Sequence, residues 1–232
     1  MFHKLSLLVI IVALIFTGTV DAQIKNSKHD LSFSSTATVR TTTSGYEEVC
    51  VFCHTPHSKQ STSLLWNRTA STATYAVYSS PTMEATVPQP GGVSKNCLSC
   101  HDGTVTYASI VNNPGSGAGI VPAFSGTGKM DTTTAAVPAG LGTNLTNDHP
   151  IGFVYSTHRA TDTGLRTETT SGSKISVQAT SPARTLPLYG TTAGTASLEC
   201  GSCHNPHGVS GVSMFLRVSN ANSEMCLTCH IK

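Results

Sequence analysis

The sequence predicts a mostly coil fold, with few short helices and strands, organised around something other than its own side chains. Three observations predict it. Ser and Thr together make up 62 of 232 residues, so the chain is dominated by small hydroxyl side chains. Aromatic residues are only 6% and charged residues only 11%, too few of either for a large apolar core or for charge-driven disorder. All eight Cys fall in C-x-x-C pairs, and every pair is followed directly by His. Lys plus Arg is 14 against 12 for Asp plus Glu, a net charge of +2. That balance excludes a nucleic-acid binder that works through a basic face.

The first element is an export signal. His3 and Lys4 open it, Leu5 to Phe16 is almost unbroken hydrocarbon, and Val20-Asp21-Ala22 suits cleavage after Ala22. A membrane anchor is the alternative, but a span needs about 20 apolar residues and this run is shorter. The expected mature chain, residues 23–232, is exported and has no membrane span.

The Cys pairs carry the chemistry. They read Cys50-x-x-Cys53-His54, Cys97-x-x-Cys100-His101, Cys200-x-x-Cys203-His204 and Cys226-x-x-Cys229-His230. Disulfides are permitted in an exported protein, and paired C-x-x-C permits zinc. Neither needs the trailing His. With His at 10 of 232 residues, four out of four by chance is on the order of 3 in a million, whereas c-type haem attachment needs every member. Two thiols add to the vinyl groups of one porphyrin and the adjacent His becomes the proximal iron ligand. The expectation is four covalent haem c, whose flat apolar rings take the place of large side chains.

Six other His remain, and His3 leaves with the signal. Cys53-His54-Thr55-Pro56-His57 and Cys203-His204-Asn205-Pro206-His207 share the pattern C-H-x-P-H. Pro stiffens the turn, and His three residues apart cannot reach opposite faces of one porphyrin. His57 and His207 are therefore expected on haems other than those beside them, with the partner in the same half of the chain as the first guess. His149, in Asp148-His149-Pro150, is the next distal candidate. His29, in Lys28-His29-Asp30-Leu31-Ser32, is another. His158, beside Arg159, reads as solvent-facing.

Along the chain a two-haem module repeats, at about 46–101 and 199–232, within one unit of residues 23–232. The joining segment is rich in Gly, Ser, Thr and Pro and reads as loops. Ile151–Ser156 and Lys174–Ala179 have strand character, and short helical turns are expected at each Cys pair and at Glu224–Thr228. The fold class is thus a haem-organised multihaem cytochrome c. Asn67-Arg68-Thr69 and Asn144-Leu145-Thr146 match the N-glycosylation pattern.

These motifs, with Lys28-His29-Asp30-Leu31-Ser32 and Asp148-His149-Pro150-Ile151-Gly152-Phe153, resemble the doubled-C-x-x-C-H multihaem cytochromes. Tetrahaem content, length and the export signal make the chain most similar to the OmcE-type extracellular cytochrome nanowire subunits of metal-reducing bacteria. The resemblance implies bis-His ligation of every iron and head-to-tail filaments. It also implies electron delivery to other redox proteins or to extracellular acceptors such as insoluble Fe(III) or Mn(IV) oxides, at the cell surface or outside the cell. In that family a neighbouring subunit can supply one distal His, and His29 in the leading segment is the expected candidate. A monomeric periplasmic shuttle is the alternative. A reductase of a nitrogen or sulfur oxyanion would need an open iron, so the chain is read as an electron-transfer protein and not an enzyme.

Overall fold

The computed structural model describes residues 24–57, 65–113, 119–133 and 139–231. The expected leader, residues 1–22, lies outside the described residues, as do parts of three loops at 58–64, 114–118 and 134–138. The helices are α1 (Gly92–His101), α2 (Tyr155–Arg159), α3 (Cys200–Cys203) and α4 (Cys226–Cys229). The strands are β1 (Ala76–Val77), β2 (Asn144–Leu145), β3 (Phe153–Val154), β4 (Glu168–Ser171), β5 (Lys174–Thr180), β6 (Ala183–Leu188) and β7 (Ser197–Leu198). Everything else described is coil, turn or a single turn of tight helix, so the fold class is mostly coil with few short elements.

The joining segment contains the largest regular unit, a three-stranded antiparallel sheet in the order β4-β5-β6. Its sequence explains it. Ile175, Val177 and Ala179 alternate inward along β5, and the Gly172-Ser173 turn supplies the positive φ of 59° at Gly172 that a tight hairpin requires. Their buried face joins Phe153, Tyr155, Leu188, Ala196 and Leu198 in one cluster, against which Leu165 and Cys229 pack. The sheet therefore backs directly onto the fourth Cys pair. A smaller cluster, Tyr75, Leu98 and Leu145, backs the second pair. The parallel pair β1-β2 and the antiparallel pair β3-β7 tie these clusters to the loops.

Two local expectations change. Strand character at Ile151–Ser156 survives only as Phe153–Val154, because Tyr155 starts a helix whose side chain is buried in the main cluster. His158 on that helix is half-buried rather than solvent-facing: its ring packs on Phe153 at 4.5 Å. The interior is also less apolar than in an ordinary domain. Among the described residues, 16 hydrophobic side chains are buried and 15 polar ones.

Truncating the main cluster should be costly. Ile175→Ala is expected to lower stability by about 2–5 kcal/mol, read as a shift in the denaturant midpoint. A shift worth less than about 0.5 kcal/mol, the range of neutral surface changes, would show that this sheet is not a packed unit.

Candidate haem-attachment site

Each motif forms one helical turn, and the helical period sorts its residues. At 3.6 residues per turn, the first Cys, the second Cys and the His share one face, while the second intervening residue points away. That residue is fully buried in all four motifs: Phe52, Ser99, Ser202 and Thr228 are each 0% exposed. Ser99 Oγ donates to Asn96 O at 2.6 Å, Ser202 Oγ accepts from Glu199 N at 3.0 Å, and Thr228 Oγ1 donates to Glu224 O at 3.0 Å. Cys and His are left at the surface of each turn. The eight Cys are free thiols, half-buried or exposed.

Three of the four turns are held by the same short ladder. His54 pairs with Trp66, His204 with Leu216 and His230 with Leu165 as isolated antiparallel bridges. The residue after each bridge partner donates its backbone N–H to the carbonyl of the second Cys: Asn67 to Cys53 at 2.9 Å, Arg217 to Cys203 at 2.8 Å and Arg166 to Cys229 at 2.7 Å. The same three residues donate a side-chain N–H to the carbonyl after the first Cys. Asn67 Nδ2 reaches Val51 at 2.7 Å, Arg217 Nε reaches Gly201 at 2.6 Å and Arg166 Nε reaches Leu227 at 3.1 Å. The second motif is built differently. It ends the ten-residue α1, and Leu141 N–H caps His101 O at 2.8 Å.

The imidazoles are oriented by carbonyl groups. Nδ1 of His101 faces Ala139 O at 2.7 Å, that of His204 faces Met214 O at 3.2 Å, that of His29 faces Pro206 O at 3.2 Å and that of His149 faces Pro150 O at 2.9 Å. A carbonyl can only accept, so Nδ1 carries the proton and Nε2 keeps its lone pair. Burial lowers the pKa of His29, His101 and His207, which favours the same neutral form. His29 is further fixed by stacking on Phe215 at 4.3 Å.

The structure brings the predicted His together in pairs. His54 and His207 have ring centres 6.1 Å apart, His29 and His101 6.1 Å, and His149 and His230 6.4 Å. His207 stands beside His54 of the other module, and His29 stands beside His101 of its own chain. His57 and His204 are both exposed, and neither has a ring partner among the described residues.

The attachment Cys follow one another in space. Cys53 and Cys100 lie close enough for their charges to interact. Cys97 and Cys200 share a hydrogen bond that raises the Cys97 thiol pKa and lowers that of Cys200. Cys203 interacts with both Cys226 and Cys229. Helices α1 and α3 meet at the middle of this series, where Ser94 Oγ accepts from Cys200 N at 2.9 Å and Ser94 N donates to Glu199 Oε2 at 3.1 Å. Burial pushes the Cys53 and Cys229 thiols up to about 12. Among the described residues no cluster of three or more His, Cys, Asp or Glu could hold a metal ion on its own.

Residues 193–232 match the family model described as the doubled CXXCH motif. That stretch holds the third and fourth Cys pairs, and it marks the chain as carrying a multihaem c-type cytochrome feature with covalently bound haem c. No curated protein matches the chain.

Sequence reasoning missed the ladder residues Trp66, Asn67, Leu216, Arg217, Leu165 and Arg166. One signal was present: the bridge partner follows the His by 12 residues in both C-H-x-P-H modules (66 minus 54, and 216 minus 204). The ladder also removes Asn67 as a glycosylation site. It is 0% exposed, and its amide bonds Val51 O, Asn112 O and Asn112 N. Asn67→Ala should therefore cost about 1–3 kcal/mol per carbonyl left unpaired, measured by denaturant unfolding. Stability within error of the wild type would show that the ladder does not hold the first motif.

Proposed function

We propose that the chain is a tetrahaem c-type electron carrier in which every iron takes two imidazoles. The observation that carries this reading is the set of three His pairs at 6.1, 6.1 and 6.4 Å. A ligating imidazole nitrogen sits about 2.0 Å from a metal, with the ring centre about 1 Å beyond it, which puts two trans imidazoles roughly 6 Å apart, centre to centre. Stacked rings come closer, as His29 and Phe215 do at 4.3 Å, although edge-on rings such as Phe52 and Phe124 also stand 6.0 Å apart, so the distance is joined to the pairing pattern. Each pair joins one His that follows a Cys pair to one that does not. The fit extends to a polar atom near the first motif: Trp66 Nε1, on the ring set edge-on to His54 at 5.9 Å, is a buried donor with no partner among the described residues.

Haem c, when bound, supplies a reversible one-electron iron couple. The chain's contribution is to close both faces of each iron and to set the attachment Cys in one series. Closed irons leave no position for a small substrate, which favours a carrier over a reductase. His57 and His204 complete the ligand set. Neither ring faces another imidazole among the described residues, and on this reading one iron is closed between neighbouring subunits, with His57 of one chain reaching His204 of the next. On this reading the chain polymerises head to tail. With the expected leader and the resemblance to OmcE-type cytochromes, it acts as an exported filament subunit that passes electrons to extracellular acceptors such as insoluble Fe(III) or Mn(IV) oxides.

Intact mass of the purified holoprotein should exceed the polypeptide by four haems, and its spectrum should be low-spin and unchanged by carbon monoxide. His207→Ala should open one iron, giving a high-spin, carbon monoxide-binding haem, while filaments persist in negative-stain images. His57→Ala should open one iron and abolish filaments. A low-spin spectrum in either variant sinks that ligand assignment. Filaments in His57→Ala with an open iron would place His57 on an iron of its own chain. A wild-type monomer at high concentration would favour the periplasmic shuttle.

A further inference from the structure

From its burial and its missing counter-ion, we infer that Arg68 is a fixed charge that raises the reduction potentials of the two haems attached at Cys50–Cys53 and Cys97–Cys100. The inference rests on the haem reading above. Arg68 heads the fully buried side chains by volume and is 1% exposed. Its guanidinium donates to Tyr107 O at 2.9 Å, Thr106 O at 2.8 Å and Ser99 O at 3.4 Å, while Nε is buried with no partner among the described residues. The ion pairs among the described residues are Arg159–Glu168 and Arg184–Glu224, and Arg68 is in neither. Carbonyl dipoles solvate the cation but do not neutralise it. A guanidinium also cannot shed its proton. A buried charge of this kind is expensive to keep, and pinning a turn requires only donors.

The position says which haems feel it. Asn67, next to Arg68 in the chain, bonds Cys53 O, and Ser99, whose carbonyl Arg68 grips, immediately precedes Cys100. Both thiols feel the Arg68 charge, and the Cys100 thiol also feels the buried Asp102 carboxylate, which is not within ion-pair distance of Arg68. Arg68 thus stands where the first two attachment turns meet. The thioether edge of a porphyrin lies opposite its propionates, so those two haems' own carboxylates do not cancel the charge. In a low-dielectric interior a fixed cation favours the electron arriving on a nearby iron. Arg217 and Arg166 grip the third and fourth motifs from half-buried positions, where solvent screens them.

The test is a spectropotentiometric titration of four-haem protein, wild type against Arg68→Gln, Arg68→Met and Arg68→Lys, each first checked for four haems by mass and for low-spin irons. Either neutral variant should move two of the four midpoints to more negative values and leave the other two in place. Arg68→Lys should keep all four near wild type. A neutral variant that loads four haems and shifts no midpoint, or a Lys variant that shifts as far as Gln, overturns the inference. Failure of both neutral variants to take up haem would make Arg68 a folding pin and also overturn it. A wild type without four haems would instead sink the haem reading itself.

Discussion

A helix of one turn ends on carbonyls that have no partner inside it, and three of the four Cys pairs lie on such turns, the second lying at the end of α1. In those three the same hydrogen bond meets the need: a backbone N–H from a passing segment onto the carbonyl of the second Cys. The rest of the site depends on that bond. It puts the adjacent His into an antiparallel bridge, which sets the direction of the Cα–Cβ bond. Asn67, Arg217 or Arg166 then adds a side-chain bond to the carbonyl after the first Cys. Both ends of the turn are thereby held by one residue, whose neighbour bridges the His. The segment that does this comes from 12 residues downstream for His54 and His204, but from far upstream for His230, which pairs with Leu165. The geometry at the attachment point is therefore conserved within the molecule while the topology that delivers it is not.

How much of this was legible follows from which forces are local. Attachment chemistry is covalent and confined to five residues, so Cys50-x-x-Cys53-His54 and its three repeats could be read directly. The helical turn at each motif followed from the same spacing, and β5 from its two-residue alternation of Ile175, Val177 and Ala179. The candidate distal His could be singled out in the sequence, but not the ring that each stands beside. His29 meets His101, and His207 meets His54; those meetings depend on how loops with no periodicity are folded back. The ladder partners were hidden for a related reason. Leu165, Trp66 and Leu216 share hydrophobic character but no motif, and the bonds beside them are backbone bonds that any residue can make. The burial of Ser99, Ser202 and Thr228 also runs against composition. A small hydroxyl is ordinarily a surface residue, and only the opposite face of the one-turn helix forces it inward.

That inversion explains how a chain with so few large side chains keeps its shape. Buried hydroxyls need partners, and here they are backbone carbonyls, a few residues away for Ser99 to Asn96 and Thr228 to Glu224, and far along the chain for Thr41 to Ala123. Small side chains lose little rotamer freedom when ordered, so loops can be tied down by many weak bonds without a deep apolar core. Asp30 and Asp102 act as larger nodes of the same kind, with Ser32 on one, Tyr75 and Thr104 on the other. The apolar clusters are correspondingly small and sit behind the second and fourth motifs rather than in a common centre.

The polar interior has an electrical consequence as well. If all four irons carry the same two imidazoles, the ligands cannot make one differ from the next, and the difference must come from charges in the surrounding protein. Two buried groups of opposite kind occupy successive junctions. Arg68 lies where the first and second attachment turns meet. Glu199 lies where the second and third meet, accepting from Ser94 N–H, with burial as the leading cause pushing its carboxyl pKa up. Neither has an ion-pair partner among the described residues. Both also have structural duties, Arg68 on the carbonyls of Ser99, Thr106 and Tyr107 and Glu199 in the capping box of α3. On that tetrahaem reading, the side chains that dock one Cys-pair turn on the next are the ones placed to set the field between neighbouring irons, which would tie packing and electron energetics to the same residues.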